Sequence, residues 1–339
     1  MTSFGVGYNA VYVQFCGALH SFSVGDVQVG VASDSGRTRK LIPMSLSSPQ
    51  YFPDVALIIE GGGTRNAYTA AVVDQLIAHD IHVGWVGGVS AGSSHTVNYL
   101  SGDRFRTKAS FVDFAADRRH SGIRPFLRGK GYFHAEHMYE IAPGADQQYP
   151  YDFETFTNNP TPFQISAVRA DTGETVFWGR ESATDLSQLM KRVRASSTMP
   201  GFMPIPIIDG APYVDGAIGE TGGLMLQPAL DAGFERFLVL SSRPRDYRRS
   251  EFTRPGLLTA VLRRYPAVAQ ATLARPALYN ETKQRILDLE KAGQAYVFFS
   301  EDMAIQNTEI NLGKLRATFD AGMRQAKRDW PAIMEFLRG

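Results

Sequence analysis

The 339 residues are enough for one large or two modest globular domains, and a 44% apolar share supplies a sizeable core. A formal net charge of +1 with 20% charged residues sets up no global field to gather nucleic acid or an anionic membrane, so any partner must be recognised locally. Cys16 is the only cysteine, which excludes an intramolecular disulfide and zinc sites built on cysteine pairs and accords with a cytoplasmic setting. No run approaches the roughly 18 uncharged apolar residues of a membrane span. The opening MTSFGVGYNAVYVQF also lacks the basic start of a secretory signal, so the chain reads as soluble or peripheral to a membrane.

Residues 1–50 carry no helical periodicity. Val11-Tyr12-Val13 and Gln28-Val29-Gly30-Val31 are short extended candidates, and 33–40 is a polar, turn-rich link, so this stretch reads as a poorly ordered or loosely packed N-terminal extension. Val55-Ala56-Leu57-Ile58-Ile59 is a continuous apolar run, the pattern of a buried parallel strand. It enters Glu60-Gly61-Gly62-Gly63-Thr64-Arg65-Asn66, and helical spacing follows over 67–79. Strand, glycine loop and helix together present free backbone amides to an anion or a developing oxyanion. A nucleotide phosphate is the weaker alternative. No Lys-Ser/Thr pair completes a P-loop, and Asn66 stands where a dinucleotide fingerprint has its third glycine.

A second strand at 83–87 runs into Gly88-Val89-Ser90-Ala91-Gly92, the G-x-S-x-G pattern of a nucleophile elbow, with Ser90 at the turn before a new helix. Two strand-to-helix units in quick succession predict a parallel sheet with the glycine loop and Ser90 adjacent at its carboxyl edge. Helix fragments are expected at 110–119 and 135–141 around a basic loop at 124–131. A β-hairpin is expected at 163–168 and 175–178, a helix at 186–194, and an extended path over 205–213 leading to Val214-Asp215-Gly216-Ala217. Strands at 237–241 and 296–299 and helices at 257–265, 267–273, 280–292 and 312–327 complete the reading. The apolar stripe of 257–273 reads as core, with a lid over the site as the alternative. The arginines 243, 245, 248 and 249 read as a solvated loop, with anionic lipid as the alternative.

A nucleophilic serine needs a base. All seven histidines (20, 79, 82, 95, 120, 134 and 137) precede residue 138, whereas an α/β-hydrolase triad places its histidine late in the chain. The best alternative is a partly desolvated carboxylate, Asp215, in a small-residue turn. His95, one turn beyond the elbow, and Asp209, in an earlier Asp-Gly-Ala, compete with it.

With glycine loop, G-x-S-x-G and a late D-G-A in that order, the chain resembles the bacterial patatin-like phospholipases from about residue 53 to the helical tail. Gly61, Gly62, Gly63 and Arg65 match the family's G-G-G-x-R/K-G, with Asn66 in place of the last glycine; Gly88, Ser90 and Gly92 match the elbow; Asp215, Gly216 and Ala217 match the D-G-A. Ala195-Ser196-Ser197 with Pro200 resembles the family segment that lines the site. The resemblance implies a three-layer α/β/α sandwich with a mainly parallel sheet and a helical C-terminal extension. It divides the chain into an extension at 1–50, a catalytic domain at 51–250 and a helical region at 251–339. It also implies a Ser90–Asp215 dyad, an oxyanion loop of Gly61, Gly62, Gly63, Thr64 and Arg65, lipid or other ester substrates, no metal and no cofactor. It selects Asp215 over Asp209, and Asn66 is expected to preserve the loop by tolerating left-handed backbone. The rival from another class is a catalytically silent lipid-binding or regulatory protein that keeps the fold.

Overall fold

In the computed structural model, residues 49–339 are described; the extended candidates of the N-terminal stretch lie outside them. The strands are β1 (Gln50–Ile59), β2 (Ile81–Val89), β3 (Phe163–Arg169), β4 (Thr175–Trp178), β5 (Ile207–Ile208), β6 (Ala211–Asp215), β7 (Arg236–Ser241) and β8 (Ala295–Phe299). The helices are α1 (Asn66–Ala78), α2 (Ala91–Leu100), α3 (Arg104–Ala109), α4 (Ile123–Leu127), α5 (Phe153–Asn158), α6 (Leu186–Ser196), α7 (Leu226–Asp231), α8 (Pro255–Val261), α9 (Pro266–Lys291) and α10 (Leu312–Arg338).

The sheet runs β5-β6-β3-β2-β1-β7-β8, parallel from β3 through β8, with β4 and β6 antiparallel to β3. The side chains of β1 alternate between two cores, as the period of two requires. Val55, Leu57 and Ile59 face a layer that includes α1, α2, α6 and α10, while Ala56 and Ile58 face α7 and α9. A central strand covered on both faces explains the uninterrupted apolar run in the sequence. The result is a three-layer α/β/α sandwich.

The register along β3 positions the site. β4 occupies one edge of β3 from Ile165 to Val168, so β2 and β6 must share the other. β2 pairs there as far as Val89 opposite Ser166, and β6 takes over with Asp215 opposite Ala167. The end of β2 therefore meets the end of β6 along one rail.

Several local expectations are corrected. The helix expected at 110–119 lies earlier, as α3, because Asp103 caps it by accepting from the Arg106 amide at 2.8 Å. The basic loop contains the short helix α4. The two helices expected at 267–273 and 280–292 are the single α9, with Pro276 inside it, and α10 continues past Pro331. An interior proline costs a helix about 3 kcal/mol. Here buried side chains on both sides of each proline, Val268 and Tyr279 in α9 and Gln325 and Ile333 in α10, bind the helix to the core and outweigh it.

Helix α10 lies on α1 at Gly322, where a Cβ would fall on the carbonyl oxygen of Tyr68. Helix propensity alone favours alanine over glycine by about 1 kcal/mol, yet this obstacle is backbone and cannot rotate away. Gly322→Ala is therefore expected to lower the free energy of unfolding by about 1–3 kcal/mol, as overpacking does, measured by urea denaturation.

Candidate active site

Ser90 stands between β2 and α2 with φ 57° and ψ −128°. For a residue with a side chain, such a conformation costs about 1–3 kcal/mol and must be held by its surroundings. The Ser90 amide donates to Ser196 Oγ at 2.9 Å, and the Ser90 carbonyl accepts from the Ser93 amide at 2.9 Å and from Ser93 Oγ at 2.6 Å. Gly88 and Gly92 make the turn sterically feasible: a Cβ on Gly88 would strike the Gly92 carbonyl, and one on Gly92 the Ile59 carbonyl. The start of α2 thus presses directly on the ends of β1 and β2.

Ser90 Oγ donates to Asp215 Oδ2 at 2.7 Å. Both residues are buried, with 8% and 7% of their surface exposed. Asp215 Oδ1 accepts from the Ala217 amide at 2.9 Å, and the Asp215 amide donates to the Thr198 carbonyl at 2.8 Å. Gly216 packs where a Cβ would meet the Ser166 carbonyl. Burial pushes the Asp215 carboxyl above its ordinary range, opposed by the nearby Arg275 cation, the Ser90 hydroxyl and the Ala217 amide.

The two competing bases lie elsewhere. His95 faces α1, with Nε2 3.0 Å from the Asn66 carbonyl, and complete burial pushes it down to about 4, so it is neutral. Asp209 and Gly210, both at positive φ, form the two-residue turn between β5 and β6, and the Asp209 carboxylate pairs with Arg192 at 3.4 Å.

The five residues of the predicted glycine loop do not contribute alike. The amides of Gly62 and Gly63 carry no hydrogen bond among the described residues. The Thr64 amide donates to the Asn307 carbonyl at 3.0 Å and the Arg65 amide to the Gly62 carbonyl at 3.3 Å, so neither is free. Gly61 lies against the elbow, where a Cβ would come within 2.9 Å of Ser90 Cβ. Gly63, not Asn66, adopts the left-handed conformation, at φ 56°; Asn66 is right-handed at φ −66° and ties the loop by donating from Nδ2 to the Glu60 carbonyl at 2.9 Å. The Glu60 carboxylate accepts three hydrogen bonds, from Ser241 Oγ at 2.6 Å, the Ser242 amide at 2.8 Å and the Tyr279 hydroxyl at 3.0 Å.

Ser90 opens onto an apolar cavity lined by Val97, Phe111, Phe114, Phe133, Met138 and Met190, among others. These residues come from scattered elements, and no spacing in the sequence links them. Ser197 also borders the cavity, in line with the segment singled out before Pro200.

The family model described as Patatin-like phospholipase matches residues 57–226, half of the chain. The chain belongs to the patatin-like phospholipase family. A second model, described as Domain of unknown function (DUF6363), matches residues 265–338. The uncharacterized protein YjjU of Escherichia coli (strain K12) is 22% identical over 201 residues, 56% of this chain and 52% of that protein, so the chain spans about half the length of that relative. The solved structure of VipD from Legionella pneumophila aligns over 90% of this chain and 72% of that one at 11% identity, with a TM-score of 0.43. The patatin-like segment contains the glycine loop, the elbow and Asp215, while Tyr279 reaches Glu60 from the segment beyond it.

Ser196→Ala removes the acceptor of the buried Ser90 amide. An unpaired buried donor costs about 1–3 kcal/mol, so this variant is expected to unfold at correspondingly lower denaturant, read from urea titrations beside wild type.

Proposed function

We propose that this patatin-like protein hydrolyses carboxylic esters of lipids through Ser90 and Asp215. The observation that carries the reading is the buried 2.7 Å hydrogen bond from Ser90 Oγ to Asp215, supported by a neighbouring glycine loop in which the Gly62 and Gly63 amides make no hydrogen bond among the described residues. Ser90 attacks the ester carbonyl while Asp215 takes its proton, and the negative charge that develops on the carbonyl oxygen is held by the amides of Gly62 and Gly63. Collapse of the tetrahedral intermediate breaks the ester bond; Asp215 returns the proton to the departing alcohol, leaving an acyl-enzyme. Water, deprotonated by the same carboxylate, then releases the fatty acid. Each oxyanion donor contributes on the order of 2.7–4 kcal/mol to the barrier reduction in such sites. The apolar cavity supplies a berth for the acyl chain.

Among the described residues no helix is long and apolar enough to cross a membrane. Peripheral contact is assigned to α4, which exposes Ile123, Phe126 and Leu127 beside Arg124 and Arg128. Phe202, also exposed, accepts from the Tyr132 amide nearby and precedes Met203 of the cavity wall. Apolar and cationic side chains interleaved in this way suit a lipid surface.

Against a p-nitrophenyl ester series, Ser90→Ala and Asp215→Asn are expected to lose about four orders of magnitude in kcat, whereas Asp209→Asn keeps wild-type activity. An inactive wild type, or a Ser90→Ala protein as active as wild type, would leave the silent lipid-binding alternative in place. The pH dependence provides a second check. Asp215 acts as a base only when ionised, so kcat/KM should rise with pH along a limb lying above the ordinary carboxylate range. Arg275→Gln removes a cation that favours the ionised form and is expected to move that limb to higher pH.

A further inference from the structure

The apolar cavity that Ser90 opens onto carries a buried polar cluster in its wall. Helix α2 lines the cavity with Ala91, Ser94, Val97 and Asn98, a spacing that puts all four on one helical face leading away from the elbow. Asn98 is 1% exposed, Arg106 of α3 is 7% exposed, and both border the cavity. Arg106 Nε donates to Asn98 Oδ1 at 3.4 Å, which fixes the orientation of that amide and leaves Asn98 Nδ2 a buried donor without a partner among the described residues. Arg106 also donates from Nη1 to the Tyr149 carbonyl and lies over the Tyr151 ring at 5.3 Å, while its Nη2 makes no hydrogen bond among the described residues.

An unpartnered buried amide donor is unfavourable, and an acyl chain made only of methylenes does nothing to satisfy it. The charge of Arg106 is already answered. Burial pushes its guanidinium down, and Asp103, whose Oδ1 accepts from the Arg106 amide at 2.8 Å, opposes that push. With a counter-charge in place, the group that the cluster lacks is a hydrogen-bond acceptor rather than an anion. The helix also sets where along a bound chain that acceptor must lie. From Ala91 to Asn98 it advances about 10 Å, at about 1.5 Å per residue. An extended chain advances about 1.2 Å per bond, so an acyl group near the octanoyl length reaches from Ser90 to Asn98.

We infer that the cavity selects a medium-length acyl chain carrying a neutral oxygen near its far end, which accepts from Asn98 Nδ2 and the Arg106 guanidinium. The substrate class is then an ester of an oxygenated fatty acid, with its ester carbonyl at Ser90 and its distal oxygen at Asn98. A plain chain of the same length leaves the Asn98 donor unpaired, and a site built to hydrogen-bond its substrate discriminates against the analogue that lacks the partner. Neither Asn98 nor Arg106 hydrogen-bonds to Ser90 or Asp215, so the two residues act on which chain is bound and not on the proton transfer. The assignment of an acyl group rests on the hydrolase reading; the polar binding site in the cavity does not.

The test compares kcat/KM of the full chain for the p-nitrophenyl esters of octanoate and of two isomers, (ω−1)-oxooctanoate and γ-oxooctanoate. The isomers share length and polarity and differ only in where the oxygen lies. The distal ketone, which reaches Asn98, should raise kcat/KM over plain octanoate about tenfold or more, as a hydrogen bond to a buried or charged donor implies. The γ-ketone falls among apolar side chains and should lower it. In Asn98→Leu the ratio of distal ketone to octanoate should drop to unity or below, whatever the absolute rate. A wild type that prefers plain octanoate, or treats the two isomers alike, overturns the inference even if the variant does not fold. Binding is read separately, from the Tm shifts that the hydrolysis-resistant N-methylamides of the same three acids give with wild type. A larger shift with the distal ketone, in a protein inactive on every ester, retains the polar site and rejects the hydrolase reading. Ester hydrolysis without that preference in either measurement does the reverse.

Discussion

The constraint on which the rest of this structure depends is the contact of bare backbone with bare backbone at the carboxyl ends of β1 and β2. Gly61, Gly88 and Gly92 bring the glycine loop, the second strand and the start of α2 to distances that no side chain would permit. That proximity brings Ser90 against Gly61, at the start of a loop in which the amides of Gly62 and Gly63 carry no hydrogen bond among the described residues. It also forces Ser90 into a backbone conformation that only external support maintains. The support comes from Ser196, at the end of α6, so the elbow depends on packing across the sheet edge as well as on its own sequence.

The second ordering principle is the shared edge of β3. Because β2 stops opposite Ser166 and the antiparallel β6 ends opposite Ala167, two residues 125 positions apart meet. Small residues again make this possible, since Gly216 leaves room for the Ser166 carbonyl. A carboxylate delivered in this way is desolvated by the sheet and helices around it, and that desolvation raises its affinity for a proton. Topology and acid–base behaviour are thus set together.

The strand, turn and helix of the elbow were legible because they depend on local patterning: an apolar run, glycines at fixed offsets and a small-residue helix start. The parallel sheet was legible from the succession of such units, and the three-layer class from the family resemblance. What was not legible came from long-range pairing. The capture of the Thr64 amide by Asn307 joins positions far apart in sequence, and no spacing rule links them. The inward turn of Arg243 and Arg249, but not Arg245 and Arg248, follows from the positions of two tyrosine rings. The helices expected at 267–273 and 280–292 leave Pro276 between them and the one at 312–327 stops short of Pro331, whereas burial on either side of each proline outweighs its local penalty and keeps the helix running. Asn66 looked like a substitute for glycine in a left-handed position, whereas Gly63 takes that conformation and Asn66 serves as a side-chain tether.

The hydroxyl of Tyr279 on the Glu60 carboxylate joins the two segments that separate family models describe. Glu60 immediately precedes the glycine loop, so a carboxylate of the first segment is completed by a phenol of the second. A lineage that lost residues 265–338 would leave a buried acid short of a donor beside its own oxyanion loop, and one that exchanged them would have to bring a replacement hydroxyl to the same place. The glycine loop of the first segment is thus held in part by the second.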